Sequence, residues 1–353
     1  MTKEQKQVFV ALSGGVDSSV AALLLKNQGH RVSGVFIKIW QPEFVECTWR
    51  EDRIDAMRVA AALEIPFYEI DLSAEYKKHV IDSMLSDYRS GVTPNPDVLC
   101  NRFIKFGALW DFVKGHGADF LATGHHARVQ KVEEQYKLLK GVDGSKDQSY
   151  FLWQLTQEDL SHTLMPIGEM QKSKVRSIAE QHDLPVANKP DSQGLCFVGH
   201  VDMHDFLRTL LKTKQGKVLD VSGAEIGIHD GAALYTHGQR HGFSVTTKQP
   251  HSSPYYVSEI DVEKNVITVT NELKKEVVTK TVTIHNCNWV SPISEEHLSC
   301  ALRYHHEPQK CKIRDARDSV TVEFVEEQQP TPGQSLVVYK EDVCIGGGII
   351  GRR

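Results

Sequence analysis

The 353-residue sequence has no long hydrophobic run: the longest, Val20 to Leu25, is six residues, far short of the roughly 20 needed to cross a bilayer. Met1 to Lys6 also lacks the basic-then-apolar order of a signal peptide. The chain is therefore expected in the cytoplasm, with no membrane partner. No C-x-x-C or H-E-x-x-H spacing occurs, and neither His125-His126 nor His305-His306 has ligand spacing, so no metal centre built from side chains is expected. The closely spaced cysteine run of an iron–sulfur protein is missing too. No Walker A motif is present, which argues against a kinase or GTPase. Charge of one sign is not in excess, with 41 Lys and Arg against 46 Asp and Glu and a net charge of -5. This argues against whole-molecule attraction to nucleic acid, although it does not exclude a local basic face. Seven cysteines, an odd number without an export signal, are expected as thiols.

What is present is an alternation. From residue 7 to about 125, short β-branched runs (7–12, 31–39, 66–72, 119–123) alternate with helical patterns. Arg50 to Leu63 carries Ile54, Met57 and Ala61 on one face, Tyr76, Val80, Met84 and Tyr88 recur at i+4, and a helix is expected from Asp97 to Gly115. Such alternation implies crossover units and a parallel sheet. Residues 128–139 read as a hairpin and 172–182 as a short helix. After about residue 216, brief β-rich runs are separated by Gly, Pro and Asn turns. The fold class expected is α/β: a parallel-sheet nucleotide-binding domain (1–210), a small β-rich central domain (211–275) and a C-terminal β-barrel (276–353).

The first strand runs into Ser13-Gly14-Gly15-Val16-Asp17-Ser18-Ser19 and then an apolar helix. Two glycines admit an anion close to the backbone, and a helix N-terminus favours phosphate; the bland alternative is a turn capped by Ser18. The loop ends the first strand of an α/β sheet, where ligands characteristically bind. Gly346 to Gly351 fits a dinucleotide pattern but leaves no room for the helix that must follow. Cys100 follows Thr93-Pro94-Asn95-Pro96-Asp97. Asp97 there would cap a helix, share a face with Cys100 and take its proton. Cys196 lies in a polar turn, Lys189 to Phe197. Cys287, Cys300, Cys311 and Cys344 read as small buried hydrophobes, and Cys47 has no assigned role.

Taken together, Ala11 to Ser18, Asn95-Pro96-Asp97 with Cys100-Asn101, Ala122 to His125, Lys146 to Tyr150, Gly194 to Phe197, Gly238-Gln239-Arg240 and Pro332-Gly333-Gln334 resemble the tRNA-specific 2-thiouridylase (MnmA/TrmU) family of the PP-loop ATP pyrophosphatases. The resemblance covers nearly the whole chain. It implies a sulfurtransferase that adenylates the C2 oxygen of the tRNA wobble uridine with ATP and Mg2+, then replaces that oxygen with sulfur from a cysteine persulfide. Carried over, Cys196 is the persulfide carrier, Cys100 the nucleophile and Asp97 its base. Ala11, Leu12, Ser13, Gly14, Gly15, Val16, Asp17, Ser18, Ile37 and Gly124 are implied ATP contacts. Asn95, Pro96 and Asp97 are implied contacts to the target base, and Lys146, Asp147, Gln148, Arg303 and Tyr304 to the anticodon arm. A sulfur-relay protein or cysteine desulfurase is the implied donor.

Lys310, Lys312, Arg314 and Arg317 continue a basic stretch from Arg303-Tyr304, suited to RNA; Glu307, Asp315 and Asp318 dilute it toward an ordinary solvated strand. Because Lys146 to Gln148 and Arg303-Tyr304 are far apart in sequence, two separate RNA-contacting surfaces are expected. Two rival functions are an amidating ligase on the same loop, which needs no active cysteine, and a non-catalytic RNA-binding protein.

Overall fold

Along the first strands, side chains alternate between two cores, and this makes the sheet a middle layer. The computed structural model describes residues 4–44, 49–191, 203–246, 254–271, 278–293, 297–316 and 319–352. The chain begins with strands β1 (Gln7–Ala11), β2 (Arg31–Lys38), β3 (Phe67–Asp71) and β4 (Phe120–Ala122). It then makes a hairpin, β5 (Ala127–Val132) and β6 (Gln135–Lys140), and a short strand β7 (Thr163–Leu164). Strands β3-β2-β1-β4-β7 form one parallel sheet in that order. Val8 and Val10 point to a core shared with helices α1 (Val16–Asn27) and α2 (Trp49–Ala62), while Phe9 points to the opposite core. The second core holds Tyr76, Val80 and Met84 of a helical segment over 73–89 and Val98, Ile104 and Leu109 of another over 96–115.

One helix face departs from expectation. Ile54 and Met57 are 45% and 41% exposed, and α2 buries Ala56, Val59 and Ala60 instead, followed by Leu63. Both sets have helical spacing; the alanines win because they let the helix backbone come close to the sheet.

After a helix at Met203–Leu211, strands β8 (Gly216–Leu219), β9 (Glu225–His229), β10 (Phe243–Val245), β11 (Tyr256–Asp261) and β12 (Val266–Thr270) make a second sheet, ordered β10-β9-β8-β12-β11. The last six strands are β13 (Thr279–Trp289), β14 (Leu298–Ala301), β15 (Gln309–Ala316), β16 (Ser319–Gln328), β17 (Ser335–Lys340) and β18 (Val343–Ile350). They run β13-β16-β15-β14-β17-β18, and β18 pairs back onto β13, closing a six-stranded barrel. The expected parallel-sheet, β-rich and barrel succession is thus what the chain forms. The glycine run 346–348 lies inside β18, where a side chain on Gly346 would strike the Asn288 carbonyl and one on Gly347 the Leu336 carbonyl. Those glycines serve strand packing, not a nucleotide.

Cys300 and Cys311 were expected as thiols. They form a disulfide between neighbouring strands β14 and β15, their Cα atoms 6.3 Å apart, because the strand pairing puts both into the barrel core. Cys344 is fully buried. No helix among the described residues is long and apolar enough to cross a membrane.

The hairpin pairs through β6 with β18, so the first unit and the barrel share one sheet edge. Behind that edge, buried Trp153 donates its indole N–H to Ser335 Oγ at 3.0 Å, and Asn288 donates to the Trp153 carbonyl at 2.8 Å. Trp153→Ala is expected to cost about 3–5 kcal/mol in denaturant unfolding, through the cavity it leaves. A loss below about 1 kcal/mol would mean that this junction contributes little.

Candidate nucleotide and thiol site

Strand β1 has β2 on one side and β4 on the other, so the chain reverses its winding direction between β1 and β4. Ligands of open α/β sheets bind at the carboxyl ends of such a pair. The loop after β1 is built for that place. Gly14 sits at φ +72°, and a side chain there would strike the Asp52 carbonyl. Gly15 is the N-cap of α1 and makes no side-chain cap. Ser18, the cap of the bland reading, accepts from Ser13 N at 3.2 Å and donates to the Gly15 carbonyl at 3.1 Å, so it shapes the loop from inside the helix. The first-turn N–H groups of α1 therefore face outward without a capping side chain, a natural anion site. Gly124, two residues beyond β4, lies against that turn: a Cβ on it would be 2.6 Å from Ser18 N.

Charged groups then close around Asp17. Lys172 Nζ lies 2.7 Å from both Asp17 oxygens and 2.9 Å from Asp191 Oδ1. Lys146 and Arg176 also bind Asp191, at 2.7 and 2.5 Å, and His126 Nε2 is 3.4 Å from Asp17. Burial alone would raise the Asp17 carboxyl, but the His126 hydrogen bond and the Lys172 charge bring it below its ordinary value. Burial likewise opposes ionisation of Asp191, and hydrogen bonds from Lys146 and Lys172 overcome it, holding this carboxyl far below the usual range. Sequence reasoning missed Lys172, Arg176, His126 and Asp191; the i, i+4 spacing of Lys172 and Arg176 was the available signal.

The thiol sits on the 96–115 helix. Its N-cap is Asn95, with Pro96 in the first turn. Proline suits that position because its φ is already helical and it has no N–H to leave unpaired, so Asp97 lies inside the first turn and is not the cap expected. Cys100 is fully buried, which the sequence did not suggest. From Cys100 to Ala108 the helix takes the wider π form. Lys105 Nζ reaches His125 Nε2 at 3.3 Å, and His125 Nδ1 reaches Thr123 Oγ1 at 2.8 Å. Lysine can only donate, so the ring proton belongs on Nδ1. Burial, then the Lys105 charge, pushes His125 well below its ordinary value and keeps it neutral. This chain of contacts ties the Cys100 helix to the residue beside Gly124.

The barrel completes the neighbourhood. Gln334 donates to the Thr93 and Pro94 carbonyls at 3.1 and 2.7 Å, and Thr93 N donates to the Pro332 carbonyl at 3.0 Å. The Tyr304 ring lies 4.5 Å from Phe151 and 6.2 Å from Tyr150, and exposed Arg303 donates to Thr331 Oγ1 at 3.0 Å. Burial, then the charges of Asp147 and Asp97, pushes the Tyr304 hydroxyl up to about 12. Arg303-Tyr304 thus adjoins the 146–151 turn and the Asn95 loop, so the two stretches, far apart in sequence, lie close in space, because the β6–β18 pairing draws the barrel onto the first unit.

The remaining residues divide plainly. Asp147 accepts from Gly141 N and Ser149 N, and Gln148 from His126 N, so both hold the turn. Ile37 is 3% exposed within the core. Ala11, Leu12, Ser13 and Val16 carry the loop, and Pro96 and Asp97 are half-buried. Cys196 and Cys47 lie outside the described residues. Among the described residues no group of three or more His, Cys, Asp or Glu could hold a metal.

Residues 6–200 match the family described as tRNA methyl transferase HUP domain, residues 204–271 the tRNA methyl transferase PRC-barrel domain, and residues 279–350 the Aminomethyltransferase beta-barrel domain. The chain is 42% identical over 355 residues to the tRNA-specific 2-thiouridylase MnmA of Nitrosomonas europaea, with 98% of each covered. It is 41% identical over 357 residues to that of Francisella philomiragia, covering 98% of this chain and 99% of that one. Among solved structures, the U34-tRNA thiolase NcsA from Methanococcus maripaludis aligns with TM-score 0.37 and 19% identity over 59% of this chain and 67% of that one, too loosely to argue from.

The depressed Asp191 carboxyl sets a pH dependence. Its contribution to stability is complete above the unfolded value of about 3.9 and is lost as pH falls through the lower folded value. Asp191→Asn should therefore melt below the wild type at pH 7 by circular dichroism, with the gap closing as pH drops below about 4. A gap that persists unchanged into acid would contradict this origin.

Proposed function

Since the chain belongs to the tRNA-specific 2-thiouridylase family, we propose a route by which its own residues carry out the ATP-dependent 2-thiolation of the wobble uridine of tRNA. The observation that carries the route is Gly124 seated on the first turn of α1, with the Cys100 helix joined to the adjacent His125. Nucleotide and thiol chemistry then share one site.

The uracil C2 oxygen is a poor leaving group, and attack by it on the α phosphorus of ATP, expelling pyrophosphate, turns it into a good one. The loop 11–18 binds the polyphosphate through the α1 N–H groups, and Gly124 gives the nucleotide backbone to lie against. Ile37, being buried, would meet adenine through its main chain. Asp17 would hold Mg2+ as one hard oxygen ligand beside the phosphates, and the ion when bound neutralises phosphate charge. Asn95, Pro96 and Asp97 position the base; Lys146, Arg303 and Tyr304 meet the anticodon arm, where a half-buried aromatic beside a cation suits stacking and phosphate contact. Asp147 and Gln148 shape the turn that presents Lys146.

Sulfur arrives as a Cys196 persulfide from a relay protein or cysteine desulfurase. Its outer sulfur attacks C2 and AMP leaves. Cys100, deprotonated by Asp97, then attacks the Cys196 sulfur; 2-thiouridine departs and a Cys100–Cys196 disulfide forms, which a thiol reductant resets. The division into 1–210, 211–275 and 276–353 fits this scheme, with the nucleotide and both thiols in the first unit. Methyl transfer, which two of the matching domain descriptions name, would leave the phosphate loop without a task. An amidating ligase would leave Cys100 and Cys196 without one.

The test is mass analysis of tRNA nucleosides after incubation with ATP, Mg2+ and a sulfur donor. 2-Thiouridine at the wobble position with AMP and pyrophosphate as products is expected, and Asp17→Ala should abolish both. ADP as product would overturn the route. Cys196→Ser should carry no persulfide, while Cys100→Ser should load sulfur yet fail to turn over. Wild-type rates in both serine variants would refute the thiol roles.

A further inference from the structure

The Asp191 carboxylate is surrounded by three cations, of which Lys172 and Arg176 have no substrate contact in the proposed route. Lys146 and Arg176 each reach it, and Lys172 is shared between it and Asp17 in the nucleotide loop. The Lys172 side chain is 11% exposed, so solvent screens its charge poorly and an anion must stay beside it. Arg176 is fixed in place, since its Nη1 donates to the Ala187 and Lys189 carbonyls at 3.3 and 3.1 Å. Neighbouring Lys189 is separately satisfied by Asp52 and Asp55 at 2.8 and 2.7 Å. The chain bearing Asp191 is thus held beside the loop, with its carboxylate joined to Asp17 through the shared Lys172.

We propose that the Asp191 carboxylate is a resident anion in the pyrophosphate subsite, and that the β and γ phosphates of ATP replace it on Lys172 and Arg176. This rests on the reading of the loop as the ATP site. Three cations against the Asp17 and Asp191 carboxylates leave a surplus of one charge, too little for a polyphosphate that arrives while Asp191 stays, because the added negative charge would face Asp191 across the same cations. Exchange keeps Lys172 paired throughout. It also makes Asp191 a positioning residue: it keeps Lys172 and Arg176 in place between turnovers and scales the apparent affinity for ATP down to the fraction of molecules in which the subsite is free.

The experiment is calorimetric titration of the full chain, without tRNA, by ATP, inorganic pyrophosphate and AMP. Asp191→Asn should bind ATP and pyrophosphate about tenfold more tightly than the wild type, while AMP, which has no β or γ phosphate, binds unchanged. Asp191→Glu, which keeps the charge, should behave as the wild type. The ATP-induced rise in melting temperature should be larger in Asp191→Asn. Should that variant fail to fold, Asp191→Ser carries the same expectation. ATP and pyrophosphate binding no tighter in the uncharged variants would overturn the exchange while leaving the ATP site intact. Wild-type protein that binds neither ligand would overturn the ATP site and the exchange with it.

Discussion

The site depends on how the helix over 96–115 is pinned. Its lead-in is held by the barrel, where Gln334 binds the Thr93 and Pro94 carbonyls, and its middle by the Lys105–His125–Thr123 chain at the end of β4. A helix fixed at two points can only present Cys100 and the Asn95 loop toward one region of space. The second of those points adjoins Gly124, which lies against the first turn of α1 at the carboxyl edge of β4. The Cys100 helix, the end of β4 and the barrel are therefore joined through a single element. The pairing of β6 with β18, reinforced by Trp153 and Ser335, is what keeps the barrel close enough to do the pinning.

Electrostatics complete what packing begins. The net charge of -5 gives no attraction for RNA or ATP at long range, so binding must come from local arrangement. Cations are drawn to the loop by Asp17 and Asp191, and an aromatic with an arginine is placed beside the Asn95 loop. Burial sets the state of each group there: His125 is kept neutral and the Tyr304 hydroxyl protonated, so both serve as fixed hydrogen-bonding or stacking partners at neutral pH.

The layered α/β unit, the loop after β1 and the closed barrel were legible in the sequence because each rests on local pattern: strand and helix periods, a double glycine at a strand end, turn residues between β-rich runs. What was not legible depends on tertiary choice. Two stripes of α2 had equal spacing, and only the sheet decided between Ile54 with Met57 and Ala56 with Val59. Asp97 and Asn95 are both good caps, and Pro96 between them decided. The burial of Cys100, the joining of Cys300 to Cys311, and the meeting of Lys172 with Asp17 and Asp191 each require segments distant in sequence to be brought together. The closeness of Arg303-Tyr304 to the 146–151 turn was missed for the same reason.

We propose that nucleotide loop, thiol helix and barrel edge present one continuous face to the anticodon arm. Hydrogen exchange of the full chain, with and without an unmodified anticodon stem-loop in the presence of ATP, tests it directly. Peptides covering 93–101, 146–151 and 303–304 should gain protection together as RNA is titrated. Protection of the 93–101 peptide with no change over 303–304 at saturation would contradict the single face.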